Sequence, residues 1–97
     1  MISITVILEV HPASLDACLQ AILANAEASR AEPGCRRFEV SSQLDKPHVI
    51  ALSELYDDAA AVTAHETSAH VAEWRRAAAA GAWVAQKQSV RGEVLAG

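Results

Sequence analysis

Three residues that lie close together in the sequence, His65, His70 and Trp74, have the types and spacing for proton chemistry on an aromatic molecule. An imidazole has a pKa of about 6.5, so a neutral histidine can take a proton from a phenol or a hydroquinone near neutral pH. His70 and Trp74 stand at positions i and i+4, which lie on one face of a helix. The pattern predicts a base beside a flat aromatic wall, with His65 and His70 as the candidate catalytic residues.

Each histidine also has a structural interpretation. His65 is placed to cap the end of a helix, and His70 is placed to hydrogen-bond a backbone carbonyl. The sequence leaves these interpretations open, together with the question of which histidine is the base.

The spacing of the two histidines does not predict a metal site. Ligands on one helix usually stand at i and i+4, as in H-E-x-x-H. His65 and His70 stand at i and i+5, which in a continuous helix turns the second side chain by about 140° from the first. A break at Thr67-Ser68 would change that angle, but no cysteine pair and no third ligand lies close in the sequence. We therefore expect no metal.

A substrate pocket is predicted from four further residues. They are Phe38, Glu54, Tyr56 and Trp74. Aromatic residues make up only 4% of the chain, so these rings are needed in the core as well, and packing is the main role expected of Phe38. Glu54 is either a second base or the partner of an arginine across the sheet, and the ion pair is the favoured interpretation.

The composition describes a small acidic chain with a high apolar content. It has 97 residues, of which 52% are hydrophobic, and a net charge of −4. Without a cluster of Lys and Arg, no nucleic-acid partner is expected. The scattered glycines form no G-x-G-x-x-G loop or P-loop, so no nucleotide or flavin is expected either. With no apolar run of about twenty residues and no secretory signal, we expect no membrane association and a cytoplasmic protein.

The elements that must position these residues are predicted from periodicity, capping residues and turn signals. The first half is predicted to contain a strand from Ile2 to Val10, a helix from an N-cap at Ser14 to about Ala31, and a strand from Cys35 to Ser42. A loop at Asp45-Lys46-Pro47 then leads to a strand from His48 to Tyr56. The second half is predicted to contain a helix opened by Asp57-Asp58 and running through His65, a break at Thr67-Ser68, a helix from Ala69 to about Ala80 closed by Gly81, and a strand from Val84 to Leu95.

This order predicts an α+β fold, the ferredoxin-like βαββαβ sandwich, in which helices cover one face of an antiparallel sheet. The other face of the sheet is left bare. In this chain that face is mixed in character, with Ile7 among its apolar residues. A second copy that covers the bare face would account for the excess of hydrophobic residues, so a homodimer is expected.

Four short motifs in a set order resemble the antibiotic-biosynthesis monooxygenase family of small dimeric α+β barrels. They are Glu32-Pro33-Gly34-Cys35 followed by Phe38, then Glu54-Leu55-Tyr56-Asp57-Asp58, then His65-Glu66-Thr67-Ser68-Ala69-His70, then Trp74. The resemblance extends from Ile2 to Leu95. The chain departs from the family pattern at Val71, where the family usually has Phe, and at Gly92, where the last strand often has an aromatic residue.

The resemblance implies a single domain over residues 1–97 that forms a homodimer through the helix-free sheet faces. It also implies a cofactor-independent monooxygenase of a quinol-like or polycyclic phenolic molecule, since such a substrate can itself supply electrons to dioxygen. The same family includes isomerases, so an isomerase or a binding module without oxygenase activity is the alternative. A haem-degrading branch uses an Asn in the first strand, where this chain has none; its only Asn is Asn25.

Overall fold

One antiparallel sheet of four strands, in the order β2-β3-β1-β4, carries all the helices on one face. The structure is a computed structural model that describes residues 1–97. The elements are β1 (Ile2–Val10), a 3-10 turn (Pro12–Ser14), α1 (Leu15–Arg30), β2 (Cys35–Gln43), β3 (Lys46–Tyr56), α2 (Ala59–Glu66), α3 (Ala69–Gly81) and β4 (Val84–Glu93). The predicted α+β ferredoxin-like fold is confirmed.

The central strand β1 shows why the two faces of the sheet differ. Its residues alternate between buried and exposed, with Ile4, Val6 and Leu8 beneath the helices and Ile7 and Glu9 on the open side. Since successive side chains of a strand point to opposite faces, this alternation fixes which face receives the helices. The helices use that face to form one apolar core.

The neighbouring strands follow the same alternation. Pairing sets Leu8 opposite Ile50 and Val6 opposite Leu52 on the covered face. On β2 it sets Phe38 opposite Glu54, so that Phe38 also points to the helices. The edge strand β4 is exposed along most of its length.

Two of the predicted helix starts are confirmed by their capping bonds. Asp58 accepts a hydrogen bond from the backbone N–H of Ala61 at the start of α2, and Ser68 accepts one from Val71 at the start of α3. Ser14 stands at the N-cap of α1, but its side chain makes no capping bond. The longest helix, α1, has 16 residues, and no helix has the length and apolarity needed to cross a bilayer.

The β2–β3 hairpin differs from the sequence-based prediction. Its turn consists of Leu44 and Asp45, and Lys46 and Pro47 already belong to β3. Pro47 is tolerated there because β3 pairs with β1 only from Val49 onward, so the missing N–H interrupts no bond to β1.

The end of α3 also differs from the prediction. Gly81 is the last helical residue, and the left-handed position is taken by Ala82, with φ 50° and ψ 45°. Gly81 serves a different purpose, since a Cβ there would collide with the indole of Trp83. Gly81 therefore permits the Trp83 ring to approach closely, and Ala82 adopts the positive φ.

Candidate active site

The turn between α1 and β2 brings a carboxylate, that of Glu32, toward the second helix. Gly34 makes this possible, because a Cβ at this position would collide with the side chain of Ala61 in α2. The backbone N–H of Asp57 bonds to the Gly34 carbonyl at 2.9 Å, which ties the turn to the end of β3. The E-P-G-C motif thus places Glu32 next to the helix that carries His65.

The break between α2 and α3 brings the two histidines to that carboxylate. His65 lies in the last turn of α2, and His70 lies in the first turn of α3. Ser68 holds the junction, since its hydroxyl donates to the His65 carbonyl at 2.6 Å while also capping α3. The chain therefore changes direction between the two histidines.

Both imidazoles contact the same oxygen of Glu32. His65 Nδ1 lies 2.9 Å from Glu32 Oε2, and His70 Nε2 lies 2.5 Å from the same atom. In a continuous helix the i, i+5 spacing would turn the two rings apart, but the break expected at Thr67-Ser68 is present and both rings reach Glu32. The expectation that no third ligand is close was based on sequence distance, and the fold supplies Glu32 from more than thirty residues away. We call Glu32, His65 and His70 the three-residue cluster.

A second carboxylate, Glu54, lies on the other side of His65. Its Oε1 accepts a hydrogen bond from the Tyr56 hydroxyl at 2.6 Å and lies 3.7 Å from His65 Nε2. The favoured pairing of Glu54 with an arginine was therefore wrong; its partners are Tyr56 and His65. Arg36, from the neighbouring strand, pairs with Asp57 instead.

Burial controls the titration of this pair. It raises the pKa of the Glu54 carboxyl above its usual value, although the hydrogen bond from Tyr56 and the nearby His65 oppose the shift. Burial and the bond to Glu54 both raise the pKa of Tyr56 far above its ordinary range, so the phenol stays protonated. Tyr56 therefore acts as a fixed donor to Glu54.

The His65 ring is enclosed by aromatic neighbours. Its centroid lies 5.1 Å from that of Tyr56, 5.8 Å from that of Phe38 and 6.0 Å from that of His70. Only 9% of the His65 side chain is exposed. A ring held on several sides in this way has a fixed orientation, as a catalytic base requires.

A cavity of about 270 Å³ opens between the covered face of the sheet and α3. Nine of its 17 lining residues are hydrophobic. The polar remainder is Asn25, Glu54, His65, Glu66, Arg75, Lys87, Ser89 and Arg91. The cavity thus combines an apolar floor from β1 and β3 with a charged edge from β4 and α3.

The structure brings most of the predicted site residues to this cavity. Phe38, Glu54, His65 and Trp74 line it. Tyr56 is fully buried and does not line it, because it stands behind Glu54. His70 and Trp74 line a second cavity of about 290 Å³, which lies between α1 and α3. Trp83 packs against Trp74 with ring centroids 6.2 Å apart and does not line the main cavity.

The two residues that depart from the family pattern, Val71 and Gly92, lie in different parts of the structure. Val71 is buried and lines the main cavity. Gly92 does not line it, because it pairs with Ser3 at a register position that faces the open side of the sheet. Only the first departure therefore changes the cavity wall.

Sequence reasoning did not single out three kinds of site residue. Glu32 appeared only as part of a turn motif, and Asn25 only as a helical residue. Asn25 lines both cavities, and its Oδ1 is buried without a hydrogen-bond partner. The third kind is the polar set on β4, Lys87, Ser89 and Arg91, whose alternation in the sequence was the one available signal.

Comparison with known proteins gives the family and the fold of the chain. The family model described as antibiotic biosynthesis monooxygenase matches residues 1–86. No curated protein matches the chain. A solved structure of a candidate antibiotic biosynthesis monooxygenase from Nitrosomonas europaea is 30% identical with a TM-score of 0.92, covering 99% of this chain and 100% of the other.

A second solved structure, of a candidate antibiotic biosynthesis monooxygenase from Deinococcus radiodurans, is 22% identical with a TM-score of 0.91. It covers 100% of this chain and 95% of the other, and at that identity it shows the fold alone. The family match spans most of the chain and includes every residue of the three-residue cluster. The chain belongs to the antibiotic biosynthesis monooxygenase family.

Proposed function

We propose that this chain is a cofactor-independent monooxygenase of a quinol-like or phenolic molecule, with His65 as the general base. The observation that carries the proposal is the placement of His65 between two carboxylates at the edge of the main cavity. Its Nδ1 is held by Glu32, and its Nε2 lies on the side of Glu54, which lines the cavity together with His65.

Glu32 selects the tautomer of His65 that a base requires. An ionised carboxylate can only accept hydrogen bonds, so the neutral imidazole must present its proton at Nδ1. That leaves the lone pair on Nε2, toward the cavity. His70 uses its Nε2 to contact the same Glu32 oxygen and lies at the other cavity, so the proposal assigns the base to His65 rather than to His70.

The substrate supplies the electrons in this reaction. Removal of a proton from a phenol or an anthrone gives an electron-rich anion that can reduce dioxygen. For an anthrone, a CH₂ carbon becomes a carbonyl carbon, one oxygen atom stays in the product, and the other leaves as water. Lys87, along the cavity edge, is placed to stabilise the anion, whereas Arg91 at the same edge is paired with Glu66 at 2.9 Å.

Oxygen uptake by metal-stripped protein with menadiol and with an anthrone tests the proposal. We expect uptake above autoxidation, and we expect His65→Gln to lower kcat by about 10²- to 10⁴-fold. His48→Gln is the matched control, since His48 is a half-buried histidine outside the cluster. Uptake no greater than autoxidation, or a fully active His65→Gln protein, would contradict the proposal.

An isomerase of a small carbonyl compound is the second candidate, and the cavity supplies a specific observation for it. Its volume of about 270 Å³ lies just below the usual range for ligand sites, about 300 to 1,000 Å³, and one edge carries Arg75, Lys87 and Arg91. His65 and Glu54 would then shuttle protons without oxygen. Turnover that is unchanged under nitrogen would favour this function, whereas turnover that stops without oxygen would favour the monooxygenase.

A homodimer through the open sheet face is part of the proposal. Ile7 and Val90 are exposed on that face, at 36% and 62%, and the family is generally dimeric. Two such faces packed together would bury on the order of 2,000 Å², as obligate dimers do. We expect sedimentation at micromolar concentration to give a dimer whose Tm falls on dilution. A folded monomer whose Tm is unchanged over a hundredfold dilution would contradict it.

A further inference from the structure

Three side chains with the donor atoms of a transition-metal site converge at the junction of α1, α2 and α3. The donors are His65 Nδ1, His70 Nε2 and a carboxylate oxygen of Glu32, all within 4.8 Å of one another. The geometry points to a binding site for one divalent transition-metal ion, of the class of Fe²⁺, Co²⁺ and Zn²⁺, at this three-residue cluster. This inference goes beyond the proposed function, which needs no metal.

The charge around Glu32 favours a cation. Glu32 makes ion-pair contacts with the two histidines and with no lysine or arginine. Its second oxygen, Oε1, is buried and has no hydrogen-bond partner. A buried carboxylate oxygen without a donor is costly, and a bound cation would compensate for the lost hydration.

The distances between donor atoms are close to those of a coordination sphere. With metal–ligand bonds of about 2.0 to 2.2 Å, neighbouring ligand atoms lie about 3.0 to 3.4 Å apart. The separation of Glu32 Oε2 from His65 Nδ1 is 2.9 Å, and that from His70 Nε2 is 2.5 Å. A metal would require these two separations to open by less than 1 Å, and the separation of the two histidine nitrogens, which lies within 4.8 Å, to come to the same range; side-chain rotation can supply both.

The surroundings of His65 match the outer shell of a metal site. A histidine that binds a metal through one nitrogen usually directs its other N–H at a carboxylate. His65 Nε2 lies 3.7 Å from Glu54 Oε1, and that carboxylate is fixed by the Tyr56 hydroxyl. The cluster thus has an outer shell on the side away from Glu32.

Two histidines and one carboxylate leave coordination positions open, and this ligand set is typical of non-haem Fe(II) and catalytic Zn²⁺ sites. Access is available from the His70 side, where 24% of the side chain is exposed and the second cavity opens. A metal would occupy the same Nδ1 and Oε2 atoms that select the tautomer of His65. The metal-free and metal-loaded chains would thus be different states of one site.

Titration of Co²⁺ into the metal-stripped full chain, followed by visible d–d absorption, tests the site directly. We expect saturation at one ion per chain and displacement by Zn²⁺. Glu32→Gln and His70→Ala should weaken binding by more than about tenfold, since each removes one of three ligands. His11→Ala and His48→Ala, which change the two histidines outside the cluster, should leave binding unchanged.

Three outcomes would overturn the inference. One is a wild-type titration no stronger than that of Glu32→Gln, and another is loss of binding in a control variant. The third is a near-ultraviolet thiolate band that disappears in Cys35→Ser, which would place the ion elsewhere. Circular dichroism of each variant confirms that it is folded. Oxygen uptake plays no part in this readout, so failure of the metal site and failure of the proposed oxygenase are distinguishable.

Discussion

The covered face of the sheet has two ends that are stabilised in different ways. At the apolar end, Leu8, Val10 and Ile50 are almost completely buried among hydrophobic neighbours. At the polar end, Glu54, Tyr56 and His65 are buried to a similar degree but depend on named hydrogen-bond partners. Both ends are buried, and only the polar end carries groups that can do chemistry.

The two ends differ in what burial contributes to stability. At the apolar end, burial contributes about 25 cal/mol per Å² of apolar area to the free energy of unfolding, and this contribution does not depend on any single partner. At the polar end burial costs free energy unless each polar atom is paired. The apolar end should therefore respond to lost volume, and the polar end to a lost partner or to pH.

The largest expected effect is at the apolar end. Ile50 is completely buried, so Ile50→Ala leaves a cavity and should lower the free energy of unfolding by about 2 to 5 kcal/mol. Ile50→Val removes one methyl group and should cost about 0.5 to 1.5 kcal/mol. Urea unfolding at one fixed protein concentration measures both. An equal loss of unfolding free energy in Ile50→Ala and Ile50→Val would contradict the expected dependence on the side-chain volume removed.

At the polar end, Tyr56→Phe should have the next largest effect. The ring is kept, but Glu54 loses its hydroxyl donor at 2.6 Å and is left buried with an unpaired oxygen. We expect a loss of about 1 to 3 kcal/mol in the free energy of unfolding.

A double-mutant cycle with Glu54→Leu, which removes both carboxylate oxygens, isolates the Tyr56–Glu54 interaction, because the two residues are in direct contact. Additive changes in the free energy of unfolding would contradict the assigned hydrogen bond. A coupling free energy clearly different from zero would support it.

The same division separates what the sequence could predict from what it could not. The apolar end follows from the alternation of Ile4, Val6 and Leu8, which is local and periodic. The helix starts follow from Asp58 and Ser68, whose side chains cap the turn next to them. Each of these signals lies within a few residues of its effect.

The polar end depends on contacts between distant parts of the chain. Glu32 meets His65 across 33 positions and His70 across 38. The break at Thr67-Ser68 was visible in the sequence, but the angle it produces was not, so the convergence of the two rings could not be calculated. The positive φ of Ala82 was also missed, because Gly81 was the residue expected to end the helix, whereas the structure packs the Trp83 indole against Gly81 and places the positive φ at Ala82.

A smaller effect, and one that depends on pH, is expected for Glu54→Gln. Burial raises the folded-state pKa of Glu54 above the unfolded value of about 4.3. The contribution of Glu54 to stability is therefore fully present below that unfolded value and is lost as pH rises through the folded pKa.

The Gln variant, which carries no charge, should be more stable than the wild type by about 0.5 to 2 kcal/mol at pH 7 and equal to it near pH 4. Thermal unfolding at both pH values measures this. An advantage that is as large at pH 4 as at pH 7 would contradict the assignment.

The smallest expected effect lies outside both ends, at the junction of α3 and β4. Ala82 has φ 50°, a conformation that costs an alanine about 1 to 2 kcal/mol relative to its right-handed one, whereas glycine adopts it freely. Part of that gain is offset because glycine loses more chain entropy on folding, so Ala82→Gly should raise the free energy of unfolding by about 0.5 to 1 kcal/mol.

Gly81→Ala is the matched control and should destabilise, because its Cβ would collide with the Trp83 indole. Calorimetry at one protein concentration should therefore move Tm in opposite directions for neighbouring residues, while Co²⁺ binding at the three-residue cluster stays unchanged in both. A fall in Tm for Ala82→Gly would mean that the left-handed turn is not where the structure places it.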